Sequence, residues 1–316
     1  MVDTSGMKCL LIFAAMAVGT ISACGGVGHG GGKEVTDPPT IDDLANATFD
    51  GLFDEPVQLI DGRWEGEPFV PGGASRPTVG LVDHFILRGD LDGDDSEEAV
   101  VLLWENQGGS GTRDYLAVTS RSGSGLRNLA TALIGDRVQL KSGWIADRRI
   151  TLDIVRAGPE DPACCPTERA RMVWTLNEDG LEQTAEEVVG TLSLSDLEGP
   201  GWVLEELDRG RPVQDGVEIG LSFAGDKVTG AGGCNRYFAT VSSEGPGKLS
   251  FDGMGATMMA CPEPAMEAEQ RYLKTLAGAL SFGFLRGRLV IDCETEDGYV
   301  TLLFSPQDSS ENNGAG

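Results

Sequence analysis

The sequence predicts a mainly β protein of the α+β class. Its C-terminal part is expected to form a curved antiparallel sheet or open barrel with one packed helix. Three observations predict this fold. Apolar and polar residues alternate through much of residues 41–190, short strands punctuated by glycine fill residues 198–305, and one amphipathic helix interrupts those strands. A β-rich N-terminal domain is therefore expected to precede a smaller α+β domain.

Two patterns identify the strands of the N-terminal domain. Residues 99–104 and 115–118 are uninterrupted apolar runs, and a Gly-Gly-Ser-Gly turn lies between them at 108–111. Period-two alternation predicts half-buried strands at 138–140, 150–154 and 172–176. Residues 126–134 fit a short helix or a strand, because their periodicity does not separate the two.

The C-terminal domain, residues 198–305, is expected to contain short strands around one helix. The predicted strands are residues 202–207, 219–223, 227–229, 249–251, 289–292 and 300–304. Pro264 opens the helix, as proline does at a first helical position. The predicted apolar stripe is Met266, Leu273, Leu276, Ala277 and Leu280, and the predicted polar face is Glu267, Glu269, Gln270 and Lys274.

The N-terminus has the features of a bacterial lipoprotein precursor. Residues 1–23 combine a positive charge at Lys8 with an apolar stretch at 10–18 that is too short to span a bilayer. The run Ile21-Ser22-Ala23-Cys24 then has the form of a lipobox, so Cys24 is expected to carry the lipid. The alternative is an ordinary signal peptide followed by a chance cysteine. Residues 24–40, rich in glycine and proline, are expected to be a flexible tether.

Lipid on Cys24 would place the protein in the bacterial cell envelope, attached to the membrane through its N-terminus. Gly25 in place of Asp favours the outer membrane if the bacterium is Gram-negative. The chain has 50 Asp and Glu against 24 Lys and Arg, a net charge of −26 that argues against nucleic-acid partners. Residues 306–316 are expected to be a disordered tail.

The cysteines suggest disulfide bonds rather than a metal site. Beyond the signal peptide and the lipid anchor, five remain, and the chain has only two histidines and no CxxC pair. Five is an odd number, so at least one thiol stays reduced or pairs outside the chain. The sequence leaves the partners of Cys164, Cys165 and Cys293 open.

A specific pair of sequence elements lies in the C-terminal domain. Residues 230–237 read GAGGCNRY, and residues 257–262 read TMMACP ahead of the helix. Together with Trp202, Glu269 and Leu273, this combination resembles the META (HslJ-like) domain of bacterial envelope proteins. The matching motif positions are Gly233, Asn235, Arg236, Tyr237, Thr257 and Met259. The resemblance implies envelope lipoproteins linked to stress tolerance or secretion, without an established enzymatic activity or cofactor.

These elements favour a structural role over a catalytic one. Glycines 230–233 permit a tight bend, and Asn235 can satisfy turn amides. We expect Cys234 and Cys261 to form a disulfide from this bend to the start of the helix, and Tyr237, Met258 and Met259 to pack in the core or on the sheet. A catalytic cysteine would need a nearby base, and this domain has no histidine.

An acidic loop in the N-terminal domain is a candidate calcium site. Asp90, Asp92, Asp94 and Glu98 resemble the ligands of calcium loops in integrin-like repeats, because alternate carboxylates of a tight loop can converge on one ion. Asp95 stands where such loops usually have glycine. The alternative is a solvated acidic turn.

The sequence therefore favours a non-enzymatic, membrane-anchored envelope lipoprotein that acts in stress tolerance or envelope integrity. The second hypothesis is a calcium-dependent surface module that binds a glycan or an envelope protein. A remote third is an acid-based hydrolase, because 50 carboxylates allow many pairs. His84 lies in a strand-like segment without a GxSxG motif anywhere, so a serine-histidine mechanism is disfavoured.

Overall fold

The computed structural model describes residues 37–109, 111–122, 125–162, 165–208 and 210–307. The predicted signal peptide, Cys24 and most of the predicted tether lie outside these residues, as do Cys164 and the chain beyond Gln307. The described residues belong to one compact unit. No helix in this part of the chain has the length and hydropathy needed to cross a bilayer.

The N-terminal part of the described chain consists of one short helix and eleven strands. They are α1 (Ile41–Ala45), β1 (Thr48–Phe49), β2 (Val57–Gln58), β3 (Arg63–Glu65), β4 (Thr78–Gly89), β5 (Glu98–Asn106), β6 (Arg113–Ser122), β7 (Gly125–Asp136), β8 (Gln139–Ala146), β9 (Arg149–Arg156), β10 (Glu168–Asn177) and β11 (Gly180–Thr191).

Among the described residues, the C-terminal part has a 3-10 turn, nine strands and one longer helix. They are the turn Leu194–Leu197, β12 (Trp202–Asp208), β13 (Arg211–Pro212), β14 (Ile219–Ala224), β15 (Lys227–Gly232), β16 (Arg236–Ser242), β17 (Ser250–Ala256), α2 (Ala265–Leu276), β18 (Ala279–Leu285), β19 (Arg288–Thr295) and β20 (Gly298–Pro306).

Strands β3 to β11 form a sandwich of two antiparallel sheets. The five-stranded sheet has the order β3-β4-β5-β6-β7, and the four-stranded sheet has the order β11-β10-β9-β8. Their facing side chains share one core, which includes Val100, Leu116, Leu152, Met172 and Trp174. The predicted strands at 138–140, 150–154 and 172–176 fall in or beside β8, β9 and β10.

Strand β5 is apolar without interruption because both faces of its sheet are covered. Val100 and Leu102 face the sandwich core, whereas Val101 and Leu103 pack in a second core with α1 and the β1-β2 pair. A strand buried on both sides loses its alternation, as observed. Residues 126–134, which fitted a helix or a strand, lie in β7 and pair with β6.

The C-terminal strands form one curled antiparallel sheet with the order β17-β16-β15-β14-β12-β20-β19-β18, and β13 pairs with β12. Helix α2 packs against β15 and β19. Its Tyr272 and Leu276 are fully buried in the core together with Leu289 and Phe304. The predicted curved sheet with one packed helix is therefore confirmed. Strands β16 and β18 were not predicted: residues 236–237 were placed in the bend and Leu280 on the helix, and the rest of both strands was left unassigned.

The predicted apolar stripe of α2 is partly wrong. The buried residues of α2 are Glu269, Tyr272, Thr275 and Leu276. Leu280 lies beyond the helix in β18 and is 41% exposed, whereas Glu269, predicted on the polar face, is buried. The cause is hydrogen bonding: the Glu269 carboxylate is an acceptor for inward-facing amides, which hydropathy alone does not reveal.

Buried ionic contacts join the curled sheet to the sandwich. Asp196 in the 3-10 turn is almost fully buried and pairs with Lys141 at 2.9 Å and Arg169 at 2.8 Å. At the β18-β19 turn, Arg286 Nε donates to Asp114 Oδ1 at 2.9 Å, and its guanidinium lies over the Trp104 ring. Such contacts demand matched geometry, so they fix how the two parts dock.

Candidate functional site

The acidic loop between β4 and β5 is held in a tight turn by its own carboxylates. Asp90 Oδ1 accepts hydrogen bonds from the backbone N–H of Gly93 at 2.6 Å and of Asp94 at 3.2 Å. Gly93 and Asp95 have positive φ angles of 85° and 67°. The aspartate at the usual glycine position therefore adopts the left-handed backbone conformation that the turn requires.

Three of the four predicted calcium ligands converge. One carboxylate oxygen from each of Asp90, Asp92 and Glu98 lies within 4.8 Å of the others. Asp94 is not part of this group, and its Oδ1 accepts the Ser96 N–H at 2.8 Å. The structure thus brings three of the four carboxylates together, and Asp94 stays a predicted ligand outside that group.

Glu98, the first residue of β5, has the most unusual environment of the three. Its side chain is fully buried, and Oε2 accepts the Leu91 N–H at 2.8 Å. Oε1 is also buried, and no described group satisfies it with hydrogen-bond geometry. An unsatisfied buried acceptor costs about 1–3 kcal/mol, and more for a charged group.

The electrostatic surroundings of Glu98 also disfavour its charged form. Burial raises the pKa of Glu98, and the negative charges of Asp92 and Asp94 raise it further. The Leu91 amide and the Ser120 hydroxyl oppose this shift. A bound cation would offset both costs, since it would coordinate the unsatisfied Oε1 of Glu98 and neutralise the negative charges of the neighbouring carboxylates. An all-oxygen carboxylate set fits a hard cation such as Ca²⁺, whose 6–8 ligands would include water or a further donor.

A second buried carboxylate organises the GAGGCNRY bend. Glu269 Oε2 accepts the backbone N–H groups of Cys234 and Asn235, and Oε1 accepts Asn235 Nδ2 at 2.8 Å. A Cβ on Gly232 would lie 2.9 Å from Glu269 Cγ. Glycine at 232 therefore allows the bend to approach the helix, and Glu269 holds it there.

Asn235 extends this network to the segment before α2. Its Oδ1 accepts Thr257 Oγ1 at 2.8 Å and the Met259 N–H at 2.7 Å. The Arg236 N–H donates to Thr257 Oγ1 at 3.2 Å. These motif residues meet through hydrogen bonds that fix the backbone, which agrees with the structural role predicted for them.

Cys234 and Cys261 form the predicted disulfide, with an S–S distance of 2.04 Å. Gly233 has a φ of 109°, so the bend needs glycine there. The buried Tyr237 shares a 2.6 Å hydroxyl-hydroxyl hydrogen bond with Tyr272, and burial raises the pKa of Tyr237.

The methionines of this segment are exposed, contrary to the prediction. Met258 is 99% exposed and Met259 is 57% exposed. Their segment is held by its backbone and by the disulfide, so the side chains are not needed for packing.

Cys293 is a buried free thiol within the core of the curled sheet. Burial and the nearby Asp292 raise the pKa of Cys293 to about 12. Among the described cysteines, Cys293 therefore does not pair with Cys165, one of the pairings left open, and Cys164 lies outside the described residues. A thiol with so high a pKa is a poor nucleophile.

His84 lies in β4 and serves the contact between the two parts of the chain. Arg288 donates to His84 Nδ1 at 2.8 Å, so Nε2 carries the proton and donates to the Arg286 carbonyl at 2.9 Å. These contacts, with Asp83 beside Nδ1, do not include a nucleophile.

Comparison with protein families agrees with this geometry. The META domain model matches residues 195–308, which include the 3-10 turn except its first residue, the whole curled sheet and α2. The C-terminal part therefore matches the META domain family. The motif resemblance is thereby confirmed, and the META domain supports an envelope- or stress-associated protein in general terms.

Other comparisons add little beyond the META domain. An NMR structure of a protein from Burkholderia xenovorans is 27% identical, with 36% of this chain and 86% of that chain covered and a TM-score of 0.29. No curated protein matches the chain. The acidic loop and the sandwich lie outside the residues that the META model matches.

Proposed function

We propose that the protein is a non-enzymatic, membrane-anchored envelope lipoprotein that acts in stress tolerance or envelope integrity. The META match at residues 195–308 carries this proposal. Supporting it, the polar groups of the META motif bind one another: Glu269 accepts amides of the bend, and Asn235 binds Thr257 and Met259. Polar groups that are occupied by hydrogen bonds to one another stabilise the fold and are not available to bind or activate a substrate.

The anchor and the role are tested together in a strain that lacks the gene. Wild-type protein is expected to incorporate labelled palmitate, fractionate with membranes and restore survival under heat or antibiotic stress. Cys24→Ala is expected to lose the label and the membrane fraction. Cys9→Ala, which changes a cysteine within the predicted signal peptide, is the matched control and should behave as wild type. Palmitate on Cys24→Ala, or no stress phenotype in the deletion strain, would contradict the proposal.

A second candidate function is calcium-dependent binding at the cell surface, to a glycan or an envelope protein. The buried, unsatisfied Oε1 of Glu98 favours it, because Asp90 and Asp92 lie beside the same carboxylate. Calcium there would stabilise the loop that begins β5. The loop conformation that binds the glycan or envelope protein would then form only when Ca²⁺ is bound.

Thermal unfolding in Ca²⁺ and in chelator tests this second function. The wild-type melting temperature is expected to rise in Ca²⁺, and Asp92→Asn is expected to remove most of the rise. Asp215→Asn, an exposed residue of the META domain, makes the same charge change away from the loop and should keep the full response. An equal rise in wild type and Asp92→Asn would place the calcium effect elsewhere.

A further inference from the structure

A cleft of about 630 Å³ opens beside the acidic loop at one end of the sandwich. Leu91 and Asp92 of the loop contribute to its lining, so the cleft and the candidate calcium site share a residue, Asp92. The remaining lining residues come from β7, the β8-β9 turn with the start of β9, and the end of β10 with its turn: Arg127, Leu129, Asp147, Arg148, Arg149, Thr175, Leu176, Asn177 and Glu178. Its volume lies in the usual range for small-molecule sites.

Three arginines line this cleft in a strongly acidic protein. Arg127, Arg148 and Arg149 are exposed, and none makes an ion pair with a residue that the structure describes. Acidic residues outnumber basic ones by 50 to 24. With so many carboxylates available, three arginines that stay out of ion pairs in one cleft suggest a ligand with negative charge.

Arg148 is held over the acidic loop by an uncommon backbone. Asp147 and Arg148, consecutive residues of the β8-β9 turn, have positive φ angles of 50° and 58°. Positions of this kind favour glycine, asparagine or aspartate, so a bulky arginine there is uncommon. A Cβ on Gly93 would lie 2.2 Å from Arg148 Nη1, which places the guanidinium directly against the loop. Glycine at 93 allows the loop and the arginine to fit together.

The apolar and charged residues that line the cleft indicate which chemical class of ligand fits it. Leu91 is buried, and Leu129 and Leu176 are partly buried, so the floor is apolar. Asp147 and Glu178 also line the cleft and reduce its positive potential. The net charge of −26 repels long polyanions. A fitting ligand therefore has an apolar face and a single negative group, and a sugar acid has both.

We propose that this cleft binds a saccharide that carries one carboxylate, with Arg127, Arg148 and Arg149 as its recognition residues. The guanidinium fork matches a carboxylate, and the leucine floor accepts the C–H face of the sugar ring. This saccharide would be the ligand of the calcium-dependent binding function, and only the effect of Ca²⁺ on its affinity rests on that proposed function. Because Asp92 lines both sites, Ca²⁺ bound by the loop would strengthen binding of the carboxylate.

Calorimetric titration of the full-length protein with an aldobiuronic acid, a disaccharide with one carboxylate, tests the proposal. Its carboxyl-reduced neutral counterpart is the ligand control. Binding is expected for the acid only, and Arg127→Ala and Arg149→Ala are each expected to weaken it about tenfold. Arg271→Ala removes the same charge from the exposed face of α2 and should leave the affinity unchanged. Melting temperatures of all variants report whether each one is folded.

The outcomes separate this proposal from the calcium function. Acid binding that is lost in the cleft variants but equal in Ca²⁺ and chelator would support the cleft and count against the calcium loop. Calcium binding without any affinity for the acid would overturn the cleft proposal and leave the loop standing. Equal affinity for the neutral sugar, or tighter binding of glucose 6-phosphate than of glucuronic acid, would overturn the carboxylate assignment.

Discussion

Two buried glutamates in this molecule have opposite surroundings. Glu269 in the META domain accepts three hydrogen bonds, from two backbone N–H groups and the Asn235 side chain, and both of its oxygens are used. Glu98 in the sandwich accepts one hydrogen bond, from the Leu91 N–H, and its Oε1 has no partner in hydrogen-bond geometry, although the Ser120 hydroxyl lies close enough to lower the Glu98 pKa. Both oxygens of the Glu269 carboxylate are used within the protein, whereas Oε1 of Glu98 is left available to a cation.

This difference concerns which polar groups are used inside the protein and which remain available to a ligand. The GAGGCNRY bend is the most specific sequence pattern in the chain, yet its groups bind one another. The acidic loop is the weaker pattern, but it leaves a charged oxygen unsatisfied beside Asp90 and Asp92. A buried charge without a partner is costly, so its presence argues for a ligand.

The largest effect is expected from Glu269→Ala. Loss of this acceptor leaves the N–H groups of Cys234 and Asn235 without a partner, so the free energy of unfolding should fall by about 4 kcal/mol. Urea unfolding measures it. Glu267→Ala, on the exposed face of the same helix, should change stability by less than about 0.5 kcal/mol. Similar small losses for both variants would contradict the structural role of Glu269.

The disulfide should give the next largest effect. Cys234 and Cys261 are 27 residues apart, and the chain-entropy model assigns such a loop about 3 kcal/mol of stabilisation. The double variant Cys234→Ala with Cys261→Ala is therefore expected to unfold at lower urea concentration. The calcium response of the acidic loop should be unchanged, since that loop lies in the sandwich. A lost calcium response would show that the two regions are not independent.

Glu98→Gln should have a smaller effect of the opposite sign. In chelator the variant should be more stable than wild type by about 1–2 kcal/mol, because it removes a buried charge and keeps an acceptor for the Leu91 N–H. Thermal unfolding at neutral pH measures the difference. A less stable variant would mean that the Glu98 carboxylate is satisfied in the native protein without a cation.

The smallest expected effect is the pH dependence of the stability difference between Glu98→Gln and wild type in chelator. The pKa of Glu98 is raised in the folded protein, so its stabilising contribution is present below the unfolded pKa and is lost as pH rises through the folded value. The advantage of Glu98→Gln over wild type in chelator should therefore be small in acid and grow toward neutral pH. Saturating Ca²⁺ should flatten this trend. An advantage that is constant with pH would rule out titration of Glu98 as the cause.

Much of the fold was predictable because hydropathy and strand alternation record burial. The run at 99–104, the alternating strands of the sandwich and the META motif all led to observed elements. Glu269 on a buried face, and the exposed Met258 and Met259, were not predictable in this way. Their positions depend on hydrogen bonds to the backbone, and a hydropathy pattern contains no such information.

The candidate site was predictable only where it is local in sequence. Asp90, Asp92 and Glu98 lie within nine residues, so their spacing indicated convergence, and Asp94 is the one predicted ligand that lies outside the group of three. The arginine cleft left no comparable signal. Arg127 is brought to Arg148 and Arg149 by the packing of two sheets, and only the fold reveals that neighbourhood.

Thermal unfolding of wild type and Glu98→Gln across a Ca²⁺ titration is the most direct test of the contrast between the two glutamates. Wild type should gain about 2 kcal/mol of stability near 10 mM Ca²⁺, as expected for an extracellular-type site, and Glu98→Gln should gain almost none. No gain in wild type, or an equal gain in both proteins, would contradict the claim that the free oxygen of Glu98 marks a cation site.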